Sequence, residues 1–116
     1  MKKLILAIFV MLTITGEAWA YDARGKYSVK GTGLKSCGAW VKNRKKDSSS
    51  SRVDTAWMNG FLSAYNRFVP GEKDVARGVD MEGWLAWIDN YCHDHPLKNY
   101  FKAAMSLIKH LNNRQR

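Results

Sequence analysis

The sequence has few cysteines, few acidic residues and no apolar run long enough to cross a membrane. Its longest apolar stretch, Leu4 to Ile14, is shorter than the roughly 20 residues that a transmembrane helix needs. It contains no alternating strand pattern and no internal repeat. These absences argue against a spanning segment, a β-sheet and a repeat array, and they favour a small all-α domain.

Motifs typical of catalysis are also missing. The sequence contains no Gly-X-Ser-X-Gly elbow, no phosphate-binding glycine loop and no His-Glu-X-X-His helix. The serine run at 48–51 has no histidine near it in the sequence, and the carboxylates fall mostly where helix caps and loops are expected. We therefore expect a non-enzymatic protein without a cofactor.

Acidic side chains are scarce relative to basic ones. Ten Asp and Glu residues stand against 19 Lys and Arg residues, which gives a net charge of +9 at pH 7. Such a balance favours anionic partners, such as acidic proteins or, more weakly, an anionic envelope surface. Nucleic acid would suit the charge but not the compartment that the N-terminus indicates.

The first twenty residues have the order of a secretory signal peptide. Lys2 and Lys3 precede the apolar run, and Ala18 and Ala20 place small residues before a cleavage site. We expect cleavage after Ala20 and a periplasmic or secreted chain. The predicted organisation is a signal peptide at 1–20, an extended arm at 21–33 and a single helical domain at 34–116.

The two cysteines, Cys37 and Cys92, are 55 positions apart. In an exported domain of this size a disulfide is the simplest pairing, with two free thiols as the alternative. Closing such a loop removes about 4 kcal/mol of unfolded-state entropy. The run Cys92 to His95 could suggest a metal site, but the disulfide uses Cys92, and His93 and His95 point to different sides of a helix end. We expect no metal.

Apolar residues recur every three or four positions from residue 34 onward, which predicts four helices stapled by the disulfide into a small four-helix bundle. The predicted apolar faces are Leu34, Cys37, Trp40 and Val41; Val53, Trp57, Phe61, Ala64, Tyr65 and Phe68; Met81, Trp84, Leu85, Ile88 and Cys92; and Leu97, Tyr100, Phe101, Ala104, Leu107, Ile108 and Leu111.

Polar residues and proline predict where these helices begin. Ser51 or Asp54 is expected to cap the second helix, and Asp80 is expected to cap the third, which should end near His93. Pro96 suits the first position of the fourth helix.

Two loops and one glycine complete the predicted organisation. The serine-rich stretch Asp47 to Ser51 is expected to be a flexible loop, and 72–79 an irregular connection. Gly60 lies inside the second helix, where glycine costs about 1 kcal/mol relative to alanine. We expect another backbone to approach closely there.

Aromatic and basic residues supply the candidate partner contacts. Trp40, Trp57 and Trp84 are expected in the core. Trp87 borders the polar face of the third helix, so with Tyr91 it forms a candidate contact patch, with packing under the 72–79 loop as the alternative. The densest basic run is either a solvated helix end or a docking surface for an anionic partner: Lys42, Arg44, Lys45 and Lys46.

The combined motifs resemble a known group of exported proteins. The residues that carry the resemblance are Ser36-Cys37 with Trp40, Trp57 and Gly60 in the second helix, and Tyr91-Cys92-X-X-X-Pro96 before a final helix. This pattern resembles the HdeA/HdeB-type periplasmic acid-stress chaperones, and it is also similar to periplasmic immunity proteins that neutralise type VI secretion amidase effectors. The chaperone resemblance implies one disulfide between an early and a late helix, and the immunity proteins are often disulfide-bonded as well. Both resemblances imply a function in binding other proteins, either unfolded clients or an acidic effector.

Overall fold

The computed structural model describes residues 27–71 and 74–116. They form a 3-10 turn, Gly31–Leu34, and four helices: α1, Cys37–Lys45; α2, Ser49–Phe68; α3, Met81–Asp94; and α4, Tyr100–Arg114. Within those two ranges no β-strand occurs. The predicted all-α class with four helices is confirmed. The predicted signal peptide and the part of the arm before residue 27 lie outside the described residues, as do residues 72 and 73 of the predicted loop.

The four helices share one apolar core. Helix α1 packs against α3, α3 packs against α4, and α2 contacts α1. The largest completely buried side chains come from several elements: Trp40, Met58, Val75, Ile88, Tyr100 and Leu107. Because every helix contributes residues to the core, each helix needs the others to bury its apolar face.

A disulfide joins α1 to α3. Cys37 and Cys92 are both fully buried, and their Cα atoms lie 4.6 Å apart. The predicted pairing is confirmed, and neither cysteine is free. The bond fixes the first residue of α1 to the last turn of α3.

The fourth helix begins four residues later than predicted. Pro96 lies in a turn, and α4 begins at Tyr100 with Asn99 as its N-cap, whose side chain accepts a 2.9 Å hydrogen bond from the Lys102 N–H. Leu97, predicted on the apolar face, is 97% exposed. The proline predicts a helix start, but the asparagine provides it.

The turn after Pro96 is held out of the helix because it caps α1. The carbonyl of Lys98 accepts a 2.7 Å hydrogen bond from the Cys37 N–H, and the carbonyl of Pro96 accepts one of 3.0 Å from the Gly38 N–H. These bonds satisfy N–H groups that have no partner within the first turn of a helix. The Cys-X-X-X-Pro junction thus connects the N-termini of α1 and α4.

The predicted loop at 47–51 is shorter than expected, because Asp47 and Ser48 lie between helices while 49–51 are helical. Helix α2 begins at Ser49, and the hydroxyl of Ser48 caps it by accepting a 3.3 Å hydrogen bond from the Ser51 N–H. Neither Ser51 nor Asp54 is the cap. Serine has poor helix propensity but is well suited to a cap and a first turn.

The buried face of α2 differs from the predicted stripe. Asp54, Met58 and Leu62 are buried, whereas Val53 is 57% exposed and Phe68 is 76% exposed. The periodicity is helical as predicted, but the buried face is rotated because a carboxylate occupies a core position. An aspartate at such a position is read from sequence as a solvent-facing residue.

The ends of α3 agree with the prediction. The Asp80 carboxylate accepts a 2.8 Å hydrogen bond from the Gly83 N–H, and the helix ends at Asp94. Met81 is 44% exposed rather than buried. Leu34, predicted on the first helix, lies in the 3-10 turn and is 64% exposed.

Candidate functional site

An open groove of about 640 Å³ lies between residues 27–30, α2 and α4. Among the described residues that line it, Lys30 is the one with a charged side chain. We call it the aromatic groove and define it by six lining residues: Tyr27, Trp57, Gly60, Phe61, Phe101 and Met105.

The aromatic rings of the groove contact one another in a continuous series. Trp57 stacks on Phe61 with ring centroids 5.3 Å apart, and Phe61 meets Phe101 edge to face at 5.6 Å. Tyr27 packs on Phe101 at 5.3 Å. Such pairs stabilise each other beyond their burial, so this apolar surface is already formed in the folded protein.

Trp57 is held in place from both sides. Its Nε1 donates a 2.8 Å hydrogen bond to the carbonyl of Lys30, and its ring lies against Gly33. The prediction that the first three tryptophans of the helical domain are core residues is confirmed for Trp40 and Trp84, which are buried. Trp57 is half-buried and forms a wall of the groove instead.

Gly60 leaves the groove open. A Cβ atom at this position would have no heavy atom within 4 Å, so the prediction of a close backbone approach at Gly60 is wrong. The close approach occurs at Gly33, where a Cβ atom would lie 2.5 Å from the Trp57 ring. Because Gly60 lines the groove and has no side chain, it leaves that part of the groove free of side-chain atoms.

A buried tyrosine supports the groove from behind. Tyr100 stacks on Trp40 at 4.7 Å and contacts Trp57 at 5.6 Å, and its hydroxyl donates a 3.2 Å hydrogen bond to the carbonyl of Asp54. Burial raises the pKa of the Tyr100 hydroxyl well above its usual value, and the negative charges of Asp54 and Asp89 raise it further. The hydroxyl of Tyr100 therefore keeps its proton at pH values where an exposed tyrosine would ionise.

An ion pair ties the segment before α1 to α2. The Lys35 ammonium donates to both carboxylate oxygens of Asp54, at 2.6 and 2.7 Å, and Asp54 has no exposed surface. A buried carboxylate needs such a partner to remain charged. The pair holds the 3-10 turn against α2 and with it the carbonyl that positions Trp57.

The structure brings the predicted contact residues Trp87 and Tyr91 together. Their rings stack at 5.4 Å, and the stack continues to His110 on one side at 5.3 Å and to His95 on the other at 4.4 Å. Both Trp87 and Tyr91 are half-buried against the core. The four rings form a stacked column, and Trp87 and Tyr91 each keep part of their surface exposed.

The predicted basic run lies at the C-terminal end of α1, and Arg44 is already paired. Its guanidinium donates to both Asp89 oxygens at 2.9 to 3.2 Å, and that hydrogen bonding raises the pKa of Arg44. Asp89 also accepts a 2.8 Å hydrogen bond from Nε1 of Trp40. The other three cations are exposed or nearly so: Lys42, Lys45 and Lys46.

A second cleft, of about 480 Å³, lies between α1 and α3. It is lined by Arg44 and Lys45 but by neither Trp87 nor Tyr91. Among the described residues, the predicted cationic and aromatic contacts therefore do not share one cleft. We call this the polar cleft; Asp89 and His93 also line it.

The described part of the predicted 72–79 loop is pinned to the helices. Val75 is fully buried, and its N–H donates a 2.9 Å hydrogen bond to the side-chain carbonyl of Asn66. The side chain of Gln115 donates to the carbonyl of Val75 at 2.9 Å. This anchoring makes 74–79 part of the scaffold.

The Cys92 to His95 run has other partners. Cys92 is in the disulfide, and a ring nitrogen of His95 lies 2.8 Å from the carbonyl of Tyr91. Within 27–71 and 74–116, no three His, Cys, Asp or Glu side chains gather as a metal site would require. The same described residues contain no helix with both the length and the apolar character of a membrane span.

The groove was not predicted from sequence because its residues were assigned elsewhere. Phe61 and Phe101 were placed in the core stripes, and Tyr27 in the arm. The available signal was Gly60, an interior helix glycine with aromatic neighbours on both sides of it in the same helix, Trp57 and Phe61.

Comparison with protein-family models, curated proteins and solved structures found no match to this chain.

Proposed function

We propose that this chain is an exported protein-binding domain that acts as an HdeA/HdeB-like periplasmic chaperone for apolar segments of unfolded clients. The observation that carries the proposal is the aromatic groove, an open apolar surface on a disulfide-stapled helical domain. A contiguous apolar surface that no other described residue covers is typical of a site that binds a partner or ligand.

The size and chemistry of the groove suit short apolar segments. Its volume of about 640 Å³ is within the range of binding clefts, roughly 300 to 1,000 Å³. Rings and a flexible thioether line it, and Met105 in particular adapts to differently shaped side chains. A surface that relies on apolar contact discriminates little between clients, as a chaperone requires.

Acid would add to this binding surface. In strong acid carboxylates lose their charge, while the 19 Lys and Arg residues of the chain keep theirs. Self-repulsion then loosens the packing and exposes further aromatic faces. The Cys37–Cys92 bond limits that expansion and allows recovery at neutral pH.

The test is suppression of client aggregation. A permanently unfolded model protein is brought to neutral pH and, separately, to about pH 3, where most carboxylates are protonated, with and without the purified chain. We expect suppression at both values, stronger in acid together with binding of a hydrophobic dye. Failure to suppress aggregation at either pH would remove the chaperone function.

The polar cleft favours a second candidate function, inhibition of a secreted cell-wall amidase effector as a periplasmic immunity protein. Lys45 lines that cleft beside Asp47 and the Arg44–Asp89 pair. The exposed Lys45 ammonium can receive an acidic side chain of one specific partner. Binding of that kind is tight at neutral pH and weakens with salt. A pull-down from periplasmic extract at pH 7 that recovers a stoichiometric partner would favour this function over the chaperone.

A further inference from the structure

A second surface adjoins the aromatic groove and is rich in lysine. It is a shallow cleft of about 440 Å³ beside α4, and Met105 lines both this cleft and the groove. We call it the lysine cleft and define it by Tyr91, Lys98, Lys102, Met105, Ser106 and Lys109.

Among the described residues, no acidic side chain pairs with the three lysines of this cleft. Lys98, Lys102 and Lys109 are exposed, and none of the described residues lining the cleft is acidic. Within 27–71 and 74–116, no carboxylate lies within ion-pair distance of their ammonium groups. Arg44 and Lys35, by contrast, each have an aspartate partner.

The helix geometry places these charges along one edge of the groove. On α4, Met105 follows Phe101 by one turn, follows Lys102 by three residues and precedes Lys109 by one turn. Residues three or four apart are neighbours on a helix surface, so Lys102 and Lys109 both adjoin the apolar side chain of Met105. A ligand seated on Phe101 and Met105 would therefore present its neighbouring groups to Lys102 and Lys109.

We infer that the partner of the aromatic groove is an acidic amphipathic segment of another protein, with apolar side chains in the groove and carboxylates in the lysine cleft. This inference rests on the proposed function of the groove and deepens it by naming the chemistry of the partner. Charge complementarity carries it, because three lysines with no acidic partner among the described residues border an apolar surface whose described lining has a single charged residue.

The probes are synthetic amphipathic peptides of roughly 15 residues, a length that forms about four helical turns. One carries glutamates beside an apolar stripe, one has glutamine and one has lysine at the same positions. Affinities are measured at low and high salt. We expect the glutamate peptide to bind about tenfold more tightly than the glutamine peptide at low salt, with the lysine peptide weakest.

Two double variants test whether the lysine cleft causes the preference for the glutamate peptide. Lys102→Gln/Lys109→Gln should remove the preference for the glutamate peptide, whereas Arg52→Gln/Arg77→Gln makes the same change in net charge away from both surfaces and should keep it. Equal loss in both variants would overturn the inference, since net charge alone would then account for binding. The unchanged protein is also tested against anionic vesicles. If it binds the vesicles more tightly than the glutamate peptide, the inference is overturned in favour of a lipid surface.

The outcome separates this inference from the proposed function. If all three peptides bind equally well and without salt dependence, the groove binds apolar segments but the lysine cleft selects nothing. If no peptide binds, the function proposed for the groove is overturned, and this inference is overturned with it.

Discussion

The ring of Trp57 lies directly against the backbone of Gly33, where a Cβ atom would be 2.5 Å from Cζ2 of the indole. The contact places the 3-10 turn beneath the wall of the aromatic groove. Gly60, on the same helix as Trp57, has open space instead. These two glycines therefore have opposite roles, since one permits packing and the other preserves a cleft.

Alanine at these two positions should change stability in opposite directions. Gly33→Ala should lower the free energy of unfolding by about 1 to 3 kcal/mol because the added methyl group overpacks the Trp57 contact. Gly60→Ala should raise it by about 0.5 to 1 kcal/mol through helix propensity. Urea unfolding measures both, and equal changes would contradict the packing at Gly33.

Loss of the disulfide should cost much of the stability of the domain. The bond closes a loop over a sequence separation of 55 residues, for which the chain-entropy relation gives about 4 kcal/mol. Cys37→Ala/Cys92→Ala should therefore unfold at a clearly lower urea concentration than the oxidised protein. A difference below about 1 kcal/mol would show that helix packing alone holds α1 on α3.

The Lys35–Asp54 pair should behave as a unit. Lys35→Met leaves the fully buried Asp54 carboxylate without its partner and should destabilise by about 3 kcal/mol. Lys35→Met combined with Asp54→Leu should cost less than the sum of the two single changes. A double-mutant cycle by denaturant unfolding gives the coupling, and additive effects would argue that the pair does not hold the turn.

Tyr100 should make the protein sensitive to alkali. Its pKa is raised in the folded state, so above about pH 10 the unfolded chain ionises while the folded chain keeps the proton. The contribution of the protonated Tyr100 to the free energy of unfolding is fully present below that pH and is lost as the pH rises further. Tyr100→Phe should lower stability at neutral pH by about 1 kcal/mol through its lost hydrogen bond. It should also flatten the decline in alkali, as pH-dependent thermal unfolding can measure.

The sequence predicts those parts of the fold that depend on local spacing and on the two cysteines. The helical periodicity, the Asp80 cap and the Cys37–Cys92 bond are found as predicted. The errors occur where a distant partner decides. The position of Asp54 in the core depends on Lys35, and the non-helical turn after Pro96 depends on the N–H groups of α1.

The groove shows the same limit for the candidate site. In the sequence its aromatic residues have the spacing of core residues, because a half-buried Phe61 or Phe101 follows the same helical periodicity as a buried phenylalanine. Whether a helix neighbour covers them depends on how α2 and α4 diverge around Gly60, which no periodicity contains. Trp87 and Tyr91, predicted as partner contacts, stack on each other and are packed against the core.

The most direct test of the central claim is the affinity of a labelled, permanently unfolded client for chains changed only at position 60. Gly60→Leu adds a branched side chain to the lining of the groove, at a position where a Cβ atom would meet no heavy atom of the described residues within 4 Å. Gly60→Ala is its matched control. We predict that Gly60→Leu weakens binding about tenfold or more while Gly60→Ala binds nearly as the parent does. Unchanged affinity in a folded Gly60→Leu chain would contradict the claim that the aromatic groove is the binding site.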